Sequence, residues 1–404
     1  MKKLSFKHNN VEFINPFLLA SSPITRNAEM IMRGFDAGWG GAVLKTLNLC
    51  PETMNNVSQR MYGYKVKSSV LGLKNIEMIS DRSIESWVDD IKLMKDKYPD
   101  RVIVASIMAE GVNSDEWQKL TEITQEAGSD IIELNLSCPN GVPERGMGSY
   151  CSELPHLCGD IVKTVKQVSK IPVWAKLSPN VTSISYLAEC CLAQGADGIV
   201  AINTVKGFAG INIDTLQPNL PINGLSTYGG FSGPIVKPMA LKAVSEIAND
   251  HNNCYISATG GISTWQDAIE FMLLGASSLQ LCTEVMYKGY DVIQPILEGV
   301  ESYLSKHNYA SLESIVGLAL DKVTNYGSLD NKIKYYAEIS QDTCRNCGRC
   351  ITACNDGGYQ AISKNNSNYE IAKEKCVGCG FCQSVCSVGS IKMNLLEQAA
   401  KVIV

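Results

Sequence analysis

Eight cysteines fall between positions 344 and 386 in two C-x2-C-x2-C-x3-C runs. They are Cys344, Cys347, Cys350 and Cys354, then Cys376, Cys379, Cys382 and Cys386. This is the ligand spacing of a domain with two [4Fe–4S] clusters, in which the fourth cysteine of each run ligates the other cluster. One cluster is therefore expected on Cys344, Cys347, Cys350 and Cys386, and the other on Cys354, Cys376, Cys379 and Cys382. Zinc knuckles space their ligand pairs more widely, and a redox dithiol needs one pair only. The usual proline after each fourth cysteine is replaced by Asn355 and Ser387, which leaves the ligands undisturbed. A chain built this way moves single electrons.

The 404 residues are 45% apolar and 19% charged, enough for a large core and more than one domain. A net charge of −5 gives no strong attraction to nucleic acid or to an anionic membrane. No signal-peptide pattern and no membrane-length apolar run occurs, so a soluble, cytoplasmic protein is expected. The cysteines outside the two runs are scattered and are expected to be reduced thiols. The four histidines, His8, His156, His251 and His307, fall in no motif, so a histidine base is not expected.

Eight short apolar runs recur upstream, at 17–22, 41–46, 102–107, 131–136, 172–177, 198–203, 255–260 and 278–283. Amphipathic stretches such as 83–97 and 183–194 separate most of them. Buried strands alternating with helices imply a parallel sheet, and eight such units fit an α/β fold of the (β/α)8 TIM-barrel type. No G-x-G-x-x-G follows the first run, so a doubly wound dinucleotide fold is not signalled. The expected order is a barrel over 1–308, a helical linker over 309–335 and a small ferredoxin-like α+β domain over 336–404.

Most runs end on chemistry: Ser21 and Ser22, Lys45, Asn135, Lys176, Asn203, Gly260 and Gly261, Cys282 and Thr283. Strand C-termini form the active face of such a barrel. The long intervals 47–101, 137–171 and 204–254 are expected to supply lids and walls there. Thr259-Gly260-Gly261 is a small-residue turn before a helix, and phosphate sites in this fold use backbone N–H groups after the last two strands. A one-electron wire needs a partner that also does two-electron chemistry, which points to FMN. Lys45 and Lys176 are placed to put positive charge beside the N1–C2=O edge of its ring.

The sharpest motif is Asn135-Leu136-Ser137-Cys138-Pro139-Asn140. Its amides suit a flat, polar heterocycle. The Cys138 thiol, with a reference pKa of about 8.5, is a competent proton donor or acceptor. A lone cysteine is usually a small buried hydrophobe, but this one begins a Pro/Gly-rich loop.

Residues 1–305 resemble the dihydroorotate dehydrogenase-like flavoprotein barrels. The whole chain is similar to the C-terminal half of the dihydropyrimidine dehydrogenases, which in bacteria is a separate subunit. The motifs that carry the likeness are Glu133-Leu134-Asn135-Leu136-Ser137-Cys138-Pro139, Glu144-Arg145-Gly146-Met147-Gly148 and Ala175-Lys176-Leu177. Ala201-Ile202-Asn203-Thr204-Val205, Tyr228-Gly229-Gly230 and Cys354-Asn355-Asp356-Gly357-Gly358-Tyr359-Gln360 complete it. The resemblance implies FMN contacts from Ser21, Lys45, Thr46, Lys176, Gly233, Thr259, Gly260, Gly261, Cys282 and Thr283. It implies pyrimidine contacts from Asn75, Glu77, Asn135, Leu136, Ser137, Asn203 and Thr204, with Cys138 as general acid/base. Lys74-Asn75-Ile76-Glu77 lies in the first long interval and reads, from sequence alone, as loop.

The implied reaction passes hydride between FMN N5 and C6 of uracil or thymine, while Cys138 gives a proton to C5. Loop 138–155 is expected to act as a lid, and Cys151 on it is the rival acid. No nicotinamide or FAD site is legible. NADH is therefore expected to act through a separate FAD- and NAD-binding flavoprotein subunit (PreT-type), in a heterotetramer. One alternative is a dihydroorotate dehydrogenase, or related ene-reductase, with a ferredoxin tail. Orotate needs a cation or several donors beside C6, however, and no arginine falls in the Asn75, Asn135 or Asn203 segments, which favours a neutral base. A second alternative, an electron-carrier subunit, leaves those asparagines and Cys138 unexplained.

Overall fold

Eight parallel strands close into a barrel, each hydrogen-bonded to its sequence neighbours, with the last returning to the first. They are β1 (Phe17–Leu19), β2 (Gly41–Val43), β3 (Val102–Ile107) and β4 (Ile131–Asn135). Then follow β5 (Val173–Lys176), β6 (Gly198–Ala201), β7 (Ile256–Thr259) and β8 (Ser278–Leu281). The computed structural model describes residues 4–51, 54, 56–111, 113–140, 146–366 and 368–396. Each strand lies inside one of the expected apolar runs and is buried along its whole length. Continuous burial is what helices on the outer face and packed side chains on the inner face produce.

A helix follows each strand. Ile84–Lys97 is typical: Ser83 caps its first turn by accepting from Ser86 N, and it buries Trp87, Ile91 and Met94. Ile184–Ala193 starts the same way on Ser183. At the N-terminal end of the barrel, an antiparallel hairpin pairs Phe6–His8 with Val11–Phe13. Phe13 packs there among Leu18, Val43, Val104 and Trp174. No helix among the described residues is long and apolar enough to cross a membrane.

The long intervals build a second layer. Strands Met61–Val66 and Ser69–Asn75 join Val205–Gly207 and Gly229–Ser232 in one four-stranded antiparallel sheet. Lys74 and Asn75 are thus strand residues, not loop. Asn75 pairs with Gly230 on one side and Met61 on the other. Lys74 is fully buried, donating to Thr227 O at 2.7 Å. Desolvation lowers its pKa.

The expected helical linker is not a helix. Residues 309–335 contain three single 3-10 turns, Glu313–Ile315, Leu320–Lys322 and Tyr326–Ser328. Leu312 and Ile315 are buried in the barrel unit, and the compact units divide between Val323 and Thr324, within the expected linker. The second unit pairs Tyr335–Ile339 with Ile391–Leu395 and carries a hairpin, Ile362–Asn365 with Asn368–Ile371. Its helices Arg349–Asp356 and Phe381–Ser384 start inside the two cysteine runs, each after a left-handed glycine, Gly348 and Gly380.

Candidate active site

A cleft of about 1100 Å³, open solvent included, lies over the C-terminal strand ends. That is the scale of a pocket for a cofactor together with a small substrate. Every residue assigned to FMN lines it: Ser21, Lys45, Thr46, Lys176, Gly233, Thr259, Gly260, Gly261, Cys282 and Thr283. So do Asn75, Glu77, Asn135, Cys138, Asn203 and Thr204. Leu136 and Ser137 do not; both are fully buried behind it. Ser137 instead accepts from Asn203 Nδ2 at 2.9 Å. Leu136 O accepts from Ser152 Oγ at 2.7 Å.

Cys138 is 8% exposed and reaches the cleft. Its carbonyl accepts from Ser149 N at 2.9 Å, which ties the loop to the short helix Ser149–Glu153. Cys151, on that helix, is turned into the core and does not line the cleft. Burial, then the neighbouring Cys158, push its thiol up to about 12. Of the motif Glu144-Arg145-Gly146, the first two residues lie outside the described residues.

The polar groups lining the cleft beside Cys138 fall into two hydrogen-bonded sets. Asn135 Nδ2 donates to Thr46 Oγ1 at 2.9 Å, and Thr46 meets Ser21 Oγ at 3.2 Å. Asn75 Nδ2 donates to Gly230 O at 3.2 Å. Asn140 Nδ2 donates to Asn75 Oδ1 at 3.4 Å and to Glu77 O at 3.2 Å, bridging the Cys138 loop to the cap sheet.

Neither strand-end lysine is bare. Lys45 Nζ lies 3.2 Å from Glu77, and Lys176 Nζ lies 3.3 Å from the fully buried Glu133. Gln280 Nε2 donates to the other Glu133 oxygen at 2.9 Å. Arg60, absent from every sequence motif, reaches Glu77 at 3.4 Å. The hairpin register brings it there, so an arginine does stand beside the Asn75 segment. The sequence offered no signal for it, because the partner strand was not legible. Gln280 was missed for a similar reason, as a polar residue within an apolar run.

At the strand-seven turn Gly260 and Gly261 have φ +124° and +82°. A Cβ on Gly261 would come within 2.6–2.8 Å of Lys237 Cβ, Cα and N. Only glycine fits, because the Lys237 backbone packs directly against this turn.

In the second unit the cysteines sort into two separate cavities. Cys344, Cys347, Cys350 and Cys386 line one, with Arg345 and Arg349. Cys354, Cys376, Cys379 and Cys382 line the other. These are the two quartets that the spacing predicts. Among the described residues no three ligating side chains converge on a point fit for one metal ion. Backbone N–H groups point at sulfur from Asn346 to Cys344 (3.4 Å), Ala361 to Cys354 (3.3 Å) and Ser390 to Cys386 (3.2 Å).

Residues 3–304 match the family of dihydroorotate dehydrogenase, and residues 337–393 match the 4Fe-4S dicluster domain. The chain is 38% identical over 364 residues to the NAD-dependent dihydropyrimidine dehydrogenase subunit PreA of Escherichia coli (strain K12), covering 89% of this chain and 87% of that protein. It is 35% identical to the chloroplastic dihydropyrimidine dehydrogenase (NADP(+)) of Arabidopsis thaliana, covering 83% and 81%. The catalytic subunit of dihydroorotate dehydrogenase B (NAD(+)) from Pyrococcus abyssi is 37% identical, covering 77% of this chain and 97% of that one. A crystal structure of DHODH from Eimeria tenella, in complex with ferulenol, superposes with a TM-score of 0.66 at 20% identity over 79% of this chain and 89% of that one.

Proposed function

The chain belongs to the dihydroorotate dehydrogenase family, among the PreA-type dihydropyrimidine dehydrogenase subunits, and from that premise we propose that it interconverts uracil or thymine with the 5,6-dihydro base. It is an oxidoreductase with a flavin-type barrel and a 4Fe-4S dicluster domain. The observation that carries the reading is one cleft lined by Cys138, by Asn75, Asn135 and Asn203, and by a glycine turn.

The cleft suits FMN. Gly260 and Gly261 turn with positive φ on the cleft lining at the end of strand β7, where backbone N–H groups can receive a phosphate. Lys45 and Lys176 stand on the same lining for the ring. Bound FMN supplies hydride exchange with C6 of the base. Cys138 moves the proton: its thiol gives to C5 in reduction, and its thiolate takes that proton back in oxidation. The burial of Cys151 away from the cleft supports Cys138 in this role. Asn75, Asn135, Asn203 and Thr204 meet the alternating carbonyl and N–H groups of the ring with paired donors and acceptors. Ser137 and Leu136 act at one remove, by holding Asn203 and the loop. Cys138 is tied to the short helix Ser149–Glu153, while 141–145 of the expected lid lie outside the described residues.

Each cysteine quartet holds one [4Fe–4S] cluster, and bound clusters supply one-electron transfer. NADH acts through a separate FAD- and NAD-binding subunit, in a heterotetramer. The purified chain should then reduce uracil with an artificial one-electron donor and not with NADH alone. NADH activity without a partner refutes the two-subunit arrangement. Cys138→Ala should lower turnover by about 10²-fold or more, as for loss of a general acid, with flavin retained. The likeness of the barrel to dihydroorotate dehydrogenase B gives the rival reading its support. Bleaching of the flavin by dihydroorotate but not by dihydrouracil would establish that rival.

A further inference from the structure

Arg60 lies outside the barrel, outside the cleft lining and outside every motif, yet it completes a chain of charges that ends in the cleft. Glu77 Oε2 meets Lys45 Nζ at 3.2 Å, and Glu77 Oε1 meets Arg60 Nε at 3.4 Å. Each carboxylate oxygen is thus engaged by a different cation. Lys45 follows barrel strand β2, whereas Glu77 and Arg60 flank the two paired strands of the cap sheet. The register is fixed locally, since Ile76 N donates to Arg60 O at 2.9 Å and Met61 pairs with Asn75. Asn140, from the Cys138 loop, reaches Glu77 O in the same place.

We propose that Arg60 is a positioning residue that holds Glu77 across the pyrimidine end of the cleft. The Arg60–Glu77–Lys45 chain then selects uncharged bases over carboxylated ones. The inference rests on the pyrimidine reading above.

Glu77 and Lys45 face the cleft and Arg60 stands behind them. The Glu77 side chain is only 10% exposed and the Lys45 side chain 12%. A lysine alone would leave the carboxylate free to rotate about its point charge. The planar guanidinium on the other oxygen removes that freedom. A base bearing a ring carboxylate meets the Glu77 anion at the wall, with both nearby cations already engaged. An uncharged base meets no such repulsion and finds a fixed acceptor for a ring N–H. Neutralising Glu77 releases two cations toward an incoming anion. Neutralising Arg60 leaves the anion in place with one counter-charge.

The test uses the full chain with flavin bound and reads the shift of the oxidised flavin spectrum on titration with uracil and, separately, orotate. Glu77→Gln should tighten orotate at least tenfold and weaken uracil at least threefold. Arg60→Gln should weaken uracil at least threefold without tightening orotate, and Arg60→Lys should recover part of that loss. Flavin content per chain controls for folding, and Arg60, being at the surface, remains a usable variant if Glu77→Gln does not fold. An unchanged uracil-to-orotate ratio in both variants overturns the inference and leaves the pyrimidine reading intact. If neither ligand perturbs the wild-type flavin, that reading falls and takes the inference with it.

Discussion

Replacing Glu133 by Gln removes one charge from the barrel interior and leaves one acceptor oxygen where two serve Lys176 and Gln280. Glu133 is fully buried on β4, and the Lys176 side chain on β5 is 7% exposed. Their 3.3 Å approach is ionic and not a well-aligned hydrogen bond, because Glu133 Oε1 has no aligned donor. At an effective dielectric of ~20 this attraction is worth ~5 kcal/mol. The new amide oxygen, turned toward the ammonium, returns ~1.5–3 kcal/mol, while its NH2 then faces Gln280 Nε2 and that hydrogen bond, worth ~1 kcal/mol, is lost. Lys176 also borders the cleft, where water can reach it in part. A net loss of ~2–3 kcal/mol follows, the low side of the range for breaking a buried pair. For a barrel of this size that lowers Tm by ~5 °C. Removing both charges, as in Glu133→Leu with Lys176→Met, should restore or exceed wild-type stability, since no unpaired ion remains. The assay is thermal unfolding of the flavin-stripped chain at one scan rate, because such a protein unfolds irreversibly. A Glu133→Gln variant within a degree of wild type, or a double variant no better than the single, would refute the assignment of Lys176 as an ammonium held by Glu133.

Gly261→Ala should cost at least tenfold in flavin affinity, because φ +82° disfavours alanine and the Cβ meets Lys237 at 2.6–2.8 Å; flavin released on denaturation measures it. Cys379→Ser should remove roughly half of the iron and sulfide per chain, because each quartet serves one cluster; metal analysis checks it. In the folded chain the Cys151 thiol keeps its proton to about pH 12, against an ordinary value of 9.0. The folded state thus binds more protons than the unfolded one between these values, and stability falls as pH rises through that window. Urea midpoints at alkaline pH should decline less steeply in Cys151→Ala.

The barrel was legible because its eight strands are buried on both faces and so appear as unbroken apolar runs. The cluster quartets were legible because ligand spacing is local. The cap sheet was not. Met61–Val66 and Ser69–Asn75 are half-exposed and carry Lys, Ser and Tyr, so they show no clean apolar signal. The pairing of Ser69–Asn75 with Gly229–Ser232 spans about 155 positions, beyond anything local pattern can specify. Arg60 was hidden by the same fact, since its meaning depends on a register set by that sheet. The linker, expected as helix, folds instead in 3-10 turns, with Leu312 and Ile315 buried against the barrel. Leu136 and Ser137 belong to the right motif, but the chain turns them inward, and only the folded loop separates wall from support.

Each cavity of the second unit takes three cysteines from one run and the fourth from the other. The two halves are therefore interlocked and not merely repeated. Loss of either run would strip three cysteines from one cavity and one from the other, so neither quartet would stay whole.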